Sequence, residues 1–204
     1  KNIQKYFKFD VFTTNEFKTF INSSNKKKLF YGPLLSNKYK SLLLYGNRLS
    51  TSATVVRKDF LKKNKILFDE TISYITVEDY DLWLKLALRN AKFKFINKFE
   101  GEYLIHNNNS SGKFELHNNN LNNLLKNHVY KIQEFSTNKN KLWTNIYSCR
   151  EFIKLIKSKN ILKINNIQEI LIVFFKAPFF IIKYICIRIG HEIFNQMHNK
   201  LFIK

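Results

Sequence analysis

Acidic residues are what this chain has least of for its size: 15 Asp and Glu stand against 35 Lys and Arg, a net charge of +20. Such an imbalance points toward an anionic partner: nucleic acid, a membrane surface or a phosphorylated substrate. Part of it reflects heavy use of Asn, Lys, Ile and Phe, which resembles a base-composition bias and inflates the charge without functional cause. Only two cysteines occur, Cys149 and Cys186. They exclude a disulfide framework and a cysteine metal site, and they fit a reducing compartment. No helix-turn-helix, zinc or RNA-stacking signature and no internal repeat is evident. Lys1 to Lys8 has neither a continuous apolar core nor a small-residue cleavage site, so no signal peptide is expected there. The opening Lys1-Asn2-Ile3-Gln4, without Met, leads us to expect a piece of something longer. Glycine and proline are also scarce, at 5 and 2, so each one present marks a break worth reading.

What is there suffices for a core. Hydrophobic residues make up 45% of the 204, with 20 Phe. That length accommodates one domain with an appendage, or two small domains. Phe7 to Phe17 reads as a strand and its exit, and Asn22 to Lys28 as a basic loop. Leu29-Phe30-Tyr31 is a short apolar run closed by Gly32-Pro33. Tyr39 to Tyr45 reads as a helix ended by Gly46-Asn47. Ser50 to Val56 is extended, and Lys58 to Asn64 is a short helix. Val77 to Asn90 is the clearest helix. Leu82, Trp83, Leu84, Leu86, Ala87 and Leu88 give it apolar surface on nearly all sides, with Lys85 and Arg89 at its wet edge. Phe93 to Ile96 and Tyr103 to His106 read as two separate short strands. Leu116 to Phe135 is helical, Ser136 to Lys141 is a linker, and the chain is helical from Trp143 onward. Alternating strands and helices up to about Phe135 argue for an α/β class.

The acid that is present is concentrated. Glu78-Asp79-Tyr80-Asp81-Leu82-Trp83 places three carboxylates in the first turn of the clearest helix. Gathered carboxylates are the material of general-base chemistry or of cation binding. The plainer alternative is that they complement the helix dipole, at about 0.3–1 kcal/mol each.

The flanking segments carry a resemblance. Gly46-Asn47-Arg48-Leu49-Ser50-Thr51-Ser52 resembles a "GN-x-[ILV]-x-[ST]-S" segment. Val55-Val56-Arg57-Lys58 follows as a strand end, and Phe68-Asp69-Glu70 is similar to "F-D-E". Glu78 to Ala87 resembles "E-D-x-D-L-W-L-[RK]-L-A". Tyr103-Leu104-Ile105-His106, followed by Ser110-Ser111, is similar to "Y-R-x-H" and its serines. Phe9-Asp10-Val11 resembles a strand further upstream. In this order the pieces resemble the C-terminal half of the catalytic domain of family 2 glycosyltransferases of GT-A fold.

The resemblance implies a partial GT-A-like mixed sheet with flanking helices over residues 1–135, its nucleotide-binding half absent. A helical extension follows over 136–204. It implies sugar transfer with inversion, from a nucleotide-sugar donor to a glycan or lipid-linked acceptor, in cell-surface polysaccharide synthesis. Asp79 then takes the proton from the attacking hydroxyl, and Glu78 assists it. Asn47, Ser50, Ser52 and Trp83 meet the acceptor, although turn formation explains the first three almost as well and Trp83 sits amid leucines. Asp81 caps the helix or holds nearby backbone. His106 approaches the diphosphate or a divalent metal, Mg or Mn, expected in the intact enzyme. Two departures stand out. The metal-binding D-x-D is absent, since the neighbours of Asp79-Tyr80-Asp81 place it in the later acidic motif. The Arg of "Y-R-x-H" is Leu104.

Ile170 to Ile189 holds thirteen Ile, Leu, Val or Phe. They favour membrane insertion by roughly 4–8 kcal/mol, and Lys176 and Lys183 oppose it at about 2.5–3.5 kcal/mol each. A helix lying in an anionic interface fits this better than a span, with packing on protein as the alternative. Pro178 is expected to kink or split it. The expected location is the cytoplasmic side, peripheral to the inner membrane face. Two other readings compete: a nucleic-acid-binding protein, which scattered lysines do not favour, and a non-catalytic glycosyltransferase remnant. On either glycosyltransferase reading, the 204 residues alone are expected to transfer nothing.

Overall fold

The computed structural model describes residues 8–21, 26–32, 35–105, 114–157 and 164–202. They fall into two compact units, Lys1–Leu125 and Lys126–Lys204.

The first unit is built on β1 (Val11–Phe20), the central strand of a four-stranded mixed sheet. β4 (Phe93–Ile105) runs parallel to it along one side. On the other side β3 (Thr54–Val56) and β2 (Lys26–Leu29) pair antiparallel with its two halves, from Val11↔Val56 to Glu16↔Leu29. Parallel and antiparallel neighbours on one strand make the mixed α/β class expected from the sequence. β4 is one long strand where two short ones were expected. Its register against β1 slips, from Thr13↔Phe95 to Asn15↔Phe99 and then Glu16↔Gly101, so bulges absorb the residues that looked like a break. β2 takes the end of the expected basic loop, Lys26 to Lys28, and the first residue of the apolar run, Leu29. Its Lys-Lys-Lys-Leu carries no alternating pattern, and only pairing with β1 makes it a strand.

Helices α1 (Lys38–Tyr45) and α2 (Lys58–Asn64) match their sequence patterns. Gly46 ends α1 at φ +88°, with its N–H donating to the Leu42 carbonyl. That φ is one L-residues rarely adopt, which is why glycine stands there. α3 (Glu78–Leu88) is the core helix of the unit. Leu82, Leu84 and Leu86 are all but sealed from solvent, whereas Leu88 in the last turn is 39% exposed. The Tyr80 hydroxyl donates to the Leu42 carbonyl at 2.6 Å, pinning α3 to α1.

The chain enters α3 under strain. Thr76 has φ +74°, a left-handed conformation costly for a β-branched residue. Two side chains of α4 (Phe114–Asn127) hold this entry. Asn120 Nδ2 donates to the Ile72 and Ile75 carbonyls at 3.0 and 2.9 Å. His117 Nδ1 lies 3.1 Å from the Thr76 carbonyl oxygen. The tip carrying Glu78 and Asp79 is therefore set by packing rather than by a side-chain cap.

The second unit is helical: a π-helical turn (His128–Ile132), α5 (Lys139–Lys157), α6 (Ile164–Lys176) and α7 (Pro178–Phe202). Cys149, Phe152 and Ile181 form its buried centre, with Val173, Phe174 and Tyr184 packed around them. Burial pushes the Cys149 thiol up to about 12, so it behaves as a small core hydrophobe. Pro178 splits α6 from α7 with a bend of 100°. Proline is well placed as the first residue of a helix, because its missing N–H has no intrahelical partner there.

Candidate functional site

A cavity of about 420 Å³ opens in the first unit, and three of the four strands of the sheet contribute to its lining. Glu16 and Lys18 come from β1, and Leu29 and Tyr31 from β2 and its exit. Leu49 to Ser52 supply a hydroxylated wall, Tyr103 stands on β4, and Asp79 projects from the tip of α3. Gly101 is paired with Glu16 across the sheet and packs closely against it. A Cβ at Gly101 would lie 3.2 Å from Glu16 Cβ and 3.4 Å from its Oε2. Glycine leaves the space in which the Glu16 carboxylate sits.

Hydrogen bonds tie the lining together. The Tyr31 hydroxyl donates to Glu16 Oε1. Ser52 Oγ donates to Glu16 Oε2 at 2.6 Å, and Ser50 Oγ lies 3.0 Å from Ser52 Oγ. Thr51 Oγ1 donates to Asp79 Oδ2 at 2.9 Å, while the Tyr80 backbone N–H donates to Asp79 Oδ1 at 2.6 Å. Asn15 accepts from the Tyr31 N–H at 3.0 Å and donates to Asn97 at 2.7 Å, which fixes the exit of β2 against the sheet.

Glu16 is only 1% exposed, so its two hydroxyl donors meet the cost of burying a carboxylate in a strand. Burial raises the Asp79 carboxyl above its ordinary range, and the nearby Glu78 charge adds to the rise. The Thr51 hydroxyl and the Tyr80 N–H pull the other way, because they bond the charged form. Burial, helped by the hydrogen bond to Glu16, also raises the Tyr31 phenol beyond its usual value. Removing the Thr51 donor should raise the Asp79 carboxyl further. An NMR titration of the Asp79 side-chain carboxyl carbon in Thr51→Val checks this; an unchanged or lowered midpoint contradicts it.

Of the residues the sequence singled out, the cavity gathers Asp79, Ser50 and Ser52. Asn47 is exposed, and its Oδ1 accepts from the Leu49 N–H at 3.0 Å. It shapes the turn and stands outside the lining. Glu78 also lies outside the lining; its Oε2 is buried with no hydrogen-bond partner among the described residues. The expectation for Trp83 is corrected: at 2% exposure it presents no ring face to a sugar, because the leucine-rich helix buries it. His106 lies outside the described residues. Asp81 is buried and ion-paired with Lys85 one turn on, a structural role for the third acid.

Sequence reasoning missed Glu16, Tyr31, Thr51 and Tyr103. Glu16 had one signal: an acid inside a β-branched and aromatic strand of an acid-poor chain. The other three are polar or aromatic residues of ordinary appearance, and only their convergence marks them. Compared with known proteins, the sequence matches no protein-family model and no curated protein.

Proposed function

We propose that the first unit is the acceptor side of a nucleotide-sugar-dependent glycosyltransferase, with Asp79 as the general base. One observation carries this reading. The hydroxylated segment and the acidic motif, 28 residues apart, meet at one cavity through the Thr51–Asp79 hydrogen bond. Those are the two segments whose resemblance to family 2 glycosyltransferases is most detailed.

The chemistry is simple to state. An acceptor hydroxyl attacks the anomeric carbon of the activated sugar while the base removes its proton, and the nucleoside diphosphate leaves from the opposite face. Inversion follows from that geometry. A base for this step must be ionised at neutral pH yet hold a proton better than a free carboxylate does. Burial of Asp79 works in that direction, and Thr51 and the Tyr80 N–H keep the ionised form accessible.

The reaction also calls for Mg²⁺ or Mn²⁺ at the donor diphosphate. The described residues of this chain do not fit that ion. Asp81 is committed to Lys85, and no group of three or more His, Cys, Asp or Glu among the described residues is placed to hold one. The donor would be held by a nucleotide-binding half of the kind the resemblance implies.

The test is transfer from radiolabelled nucleotide sugars by membranes of cells producing the intact protein, nucleotide-binding half included, since the 204 residues by themselves are expected to transfer nothing. We expect label to enter a glycan or lipid-linked product in a protein-dependent manner. No transfer from any common nucleotide sugar overturns the reading.

The second unit supports a peripheral membrane location as part of the same proposal. No single helix among the described residues is long and apolar enough to cross a membrane. The bent pair α6–α7 instead exposes apolar side chains on both sides of the break, with Phe175 at 71% and Phe179 at 87%. Lys176 and Lys183 stand exposed beside them. An apolar apex rimmed by lysine complements an anionic bilayer surface. Inserting two phenylalanines contributes roughly 1.5–3 kcal/mol each. Phe175→Ser/Phe179→Ser should therefore lower binding to phosphatidylcholine/phosphatidylglycerol vesicles by more than about tenfold. Equal sedimentation of both proteins with the vesicles contradicts it, as does a self-association of the wild type that the double variant abolishes.

A further inference from the structure

The cavity has a polarity that follows from counting protons. A serine, threonine or tyrosine hydroxyl has one proton to donate, and an ionised carboxylate has none. Tyr31 and Ser52 both spend theirs on Glu16. Thr51 spends its proton on Asp79. Because the Ser52 proton is committed, the bond between Ser50 and Ser52 must run from Ser50. Four hydroxyls thus direct their protons into the protein and turn lone pairs toward the cavity. Two carboxylates reinforce that pattern. The lining cation is Lys18, and its ammonium stands 5.2 Å over the Phe20 ring. In a chain of net charge +20, the side of the cavity between Glu16 and Asp79 is a patch of hydrogen-bond acceptors, with Lys18 and the Tyr103 hydroxyl elsewhere on the lining.

A wall of acceptors selects a ligand rich in donors and penalises one that brings its own negative charge. The absence of a three-ligand cluster among the described residues argues against a bare divalent cation. We propose that the cavity is a subsite for a neutral carbohydrate whose hydroxyls donate to the Asp79 carboxylate and to the hydroxyl oxygens that Glu16 orients. Glu16 is the positioning residue that sets the direction of the surrounding hydrogen bonds. This rests on the acceptor-side reading given above and narrows it: the group bound here carries no phosphate and no uronate. Glu16 acts through Tyr31, Ser52 and Ser50, and Asp79 remains the group assigned to the reacting hydroxyl.

Glu16→Gln is nearly isosteric and reverses the logic. Its amide nitrogen donates, so Tyr31 or Ser52 must turn its proton toward the cavity. Ligand-observed NMR on the full chain tests this, with methyl glycosides of common hexoses and N-acetylhexosamines as probes. Their 6-phosphates, the matching uronates, inorganic phosphate and MnCl₂ serve as competitors. At least one neutral glycoside should bind the wild type at least tenfold more tightly than its charged counterparts. Glu16→Gln should weaken that binding about tenfold and narrow the preference, and Tyr31→Phe should give an intermediate loss with the fold intact by circular dichroism. The proposal is overturned if phosphates or uronates bind as well as neutral glycosides, if Mn²⁺ displaces the glycosides, if no glycoside binds, or if Glu16→Gln changes nothing. Failure of the glycosyltransferase reading has a different signature: neutral glycosides bind with this preference, yet the membranes transfer no sugar.

Discussion

In the intact protein, nucleotide-binding half included, Asp79→Asn is expected to reduce sugar transfer by about 10²–10⁴-fold, the usual range for loss of a positioned general base. The substitution keeps the shape of the side chain: its oxygen accepts from the Tyr80 N–H, and its amide nitrogen donates to the Thr51 hydroxyl, which turns its own proton away. What disappears is the ability to take the proton of the attacking hydroxyl. The loss should fall on kcat, because acceptor and donor contacts remain. It should not come from unfolding, and the sign of the Asp79 shift says why. Its carboxyl is raised above the ordinary value of 3.8, first by burial. The folded state therefore holds that proton more tightly than the unfolded state does. As pH rises above the unfolded value, ionisation of the buried group costs stability, and the cost persists at neutral pH. Removing the charge relieves it. Asp79→Asn should be at least as stable as the wild type at pH 7, with any gain vanishing near pH 3 where both states are protonated. Thermal unfolding at the two pH values, beside the transfer assay, checks the pair of outcomes. Full activity in the variant sinks the base assignment, and a large loss of stability moves Asp79 into the structural scaffold.

Leu84→Ala should give the opposite profile. Leu84 has no solvent exposure and lies five residues beyond Asp79 on α3. Truncating a sealed leucine removes its transfer free energy and leaves a cavity, together about 2–5 kcal/mol. That is a large share of the stability of a domain this size. A urea titration should show the midpoint for the first unit falling with little change in slope. Transfer should be retained at low temperature and lost on warming, since the base and its partners are untouched. A Leu84→Ala protein as stable as the wild type contradicts the placement of α3 at the core. Together the two variants separate chemistry from scaffold on a single helix.

The helices were the legible part of this chain. α3 announced itself through leucines and a tryptophan, and α2 was read to the residue. The breaks at Gly46 and Pro178 came from the two residue types whose backbone limits are strongest. The strands were less legible. Lys26–Leu29 has no pattern of its own, and the bulged run Phe93–Ile105 alternates only if its register slips are known. Trp83 shows the cost of transferring a role by motif alone: its neighbours placed it in a functional segment, and its burial made it core.

What the sequence determined by itself was local: where helices begin and end, which face is apolar, and that Asp79 sits at a helix tip in an acid-poor chain. Periodicity, turn chemistry and composition operate over a few residues and need no partner. Only the tertiary structure decided what surrounds Asp79. Glu16 meets Tyr31 fifteen residues away and Ser52 thirty-six residues away, and Gly101 leaves the space for it across the sheet. Those contacts exist because strand pairing brings distant residues together at fixed register. The direction in which each hydroxyl spends its single proton is a property of the whole network, and it follows from the fold rather than from any segment of the chain.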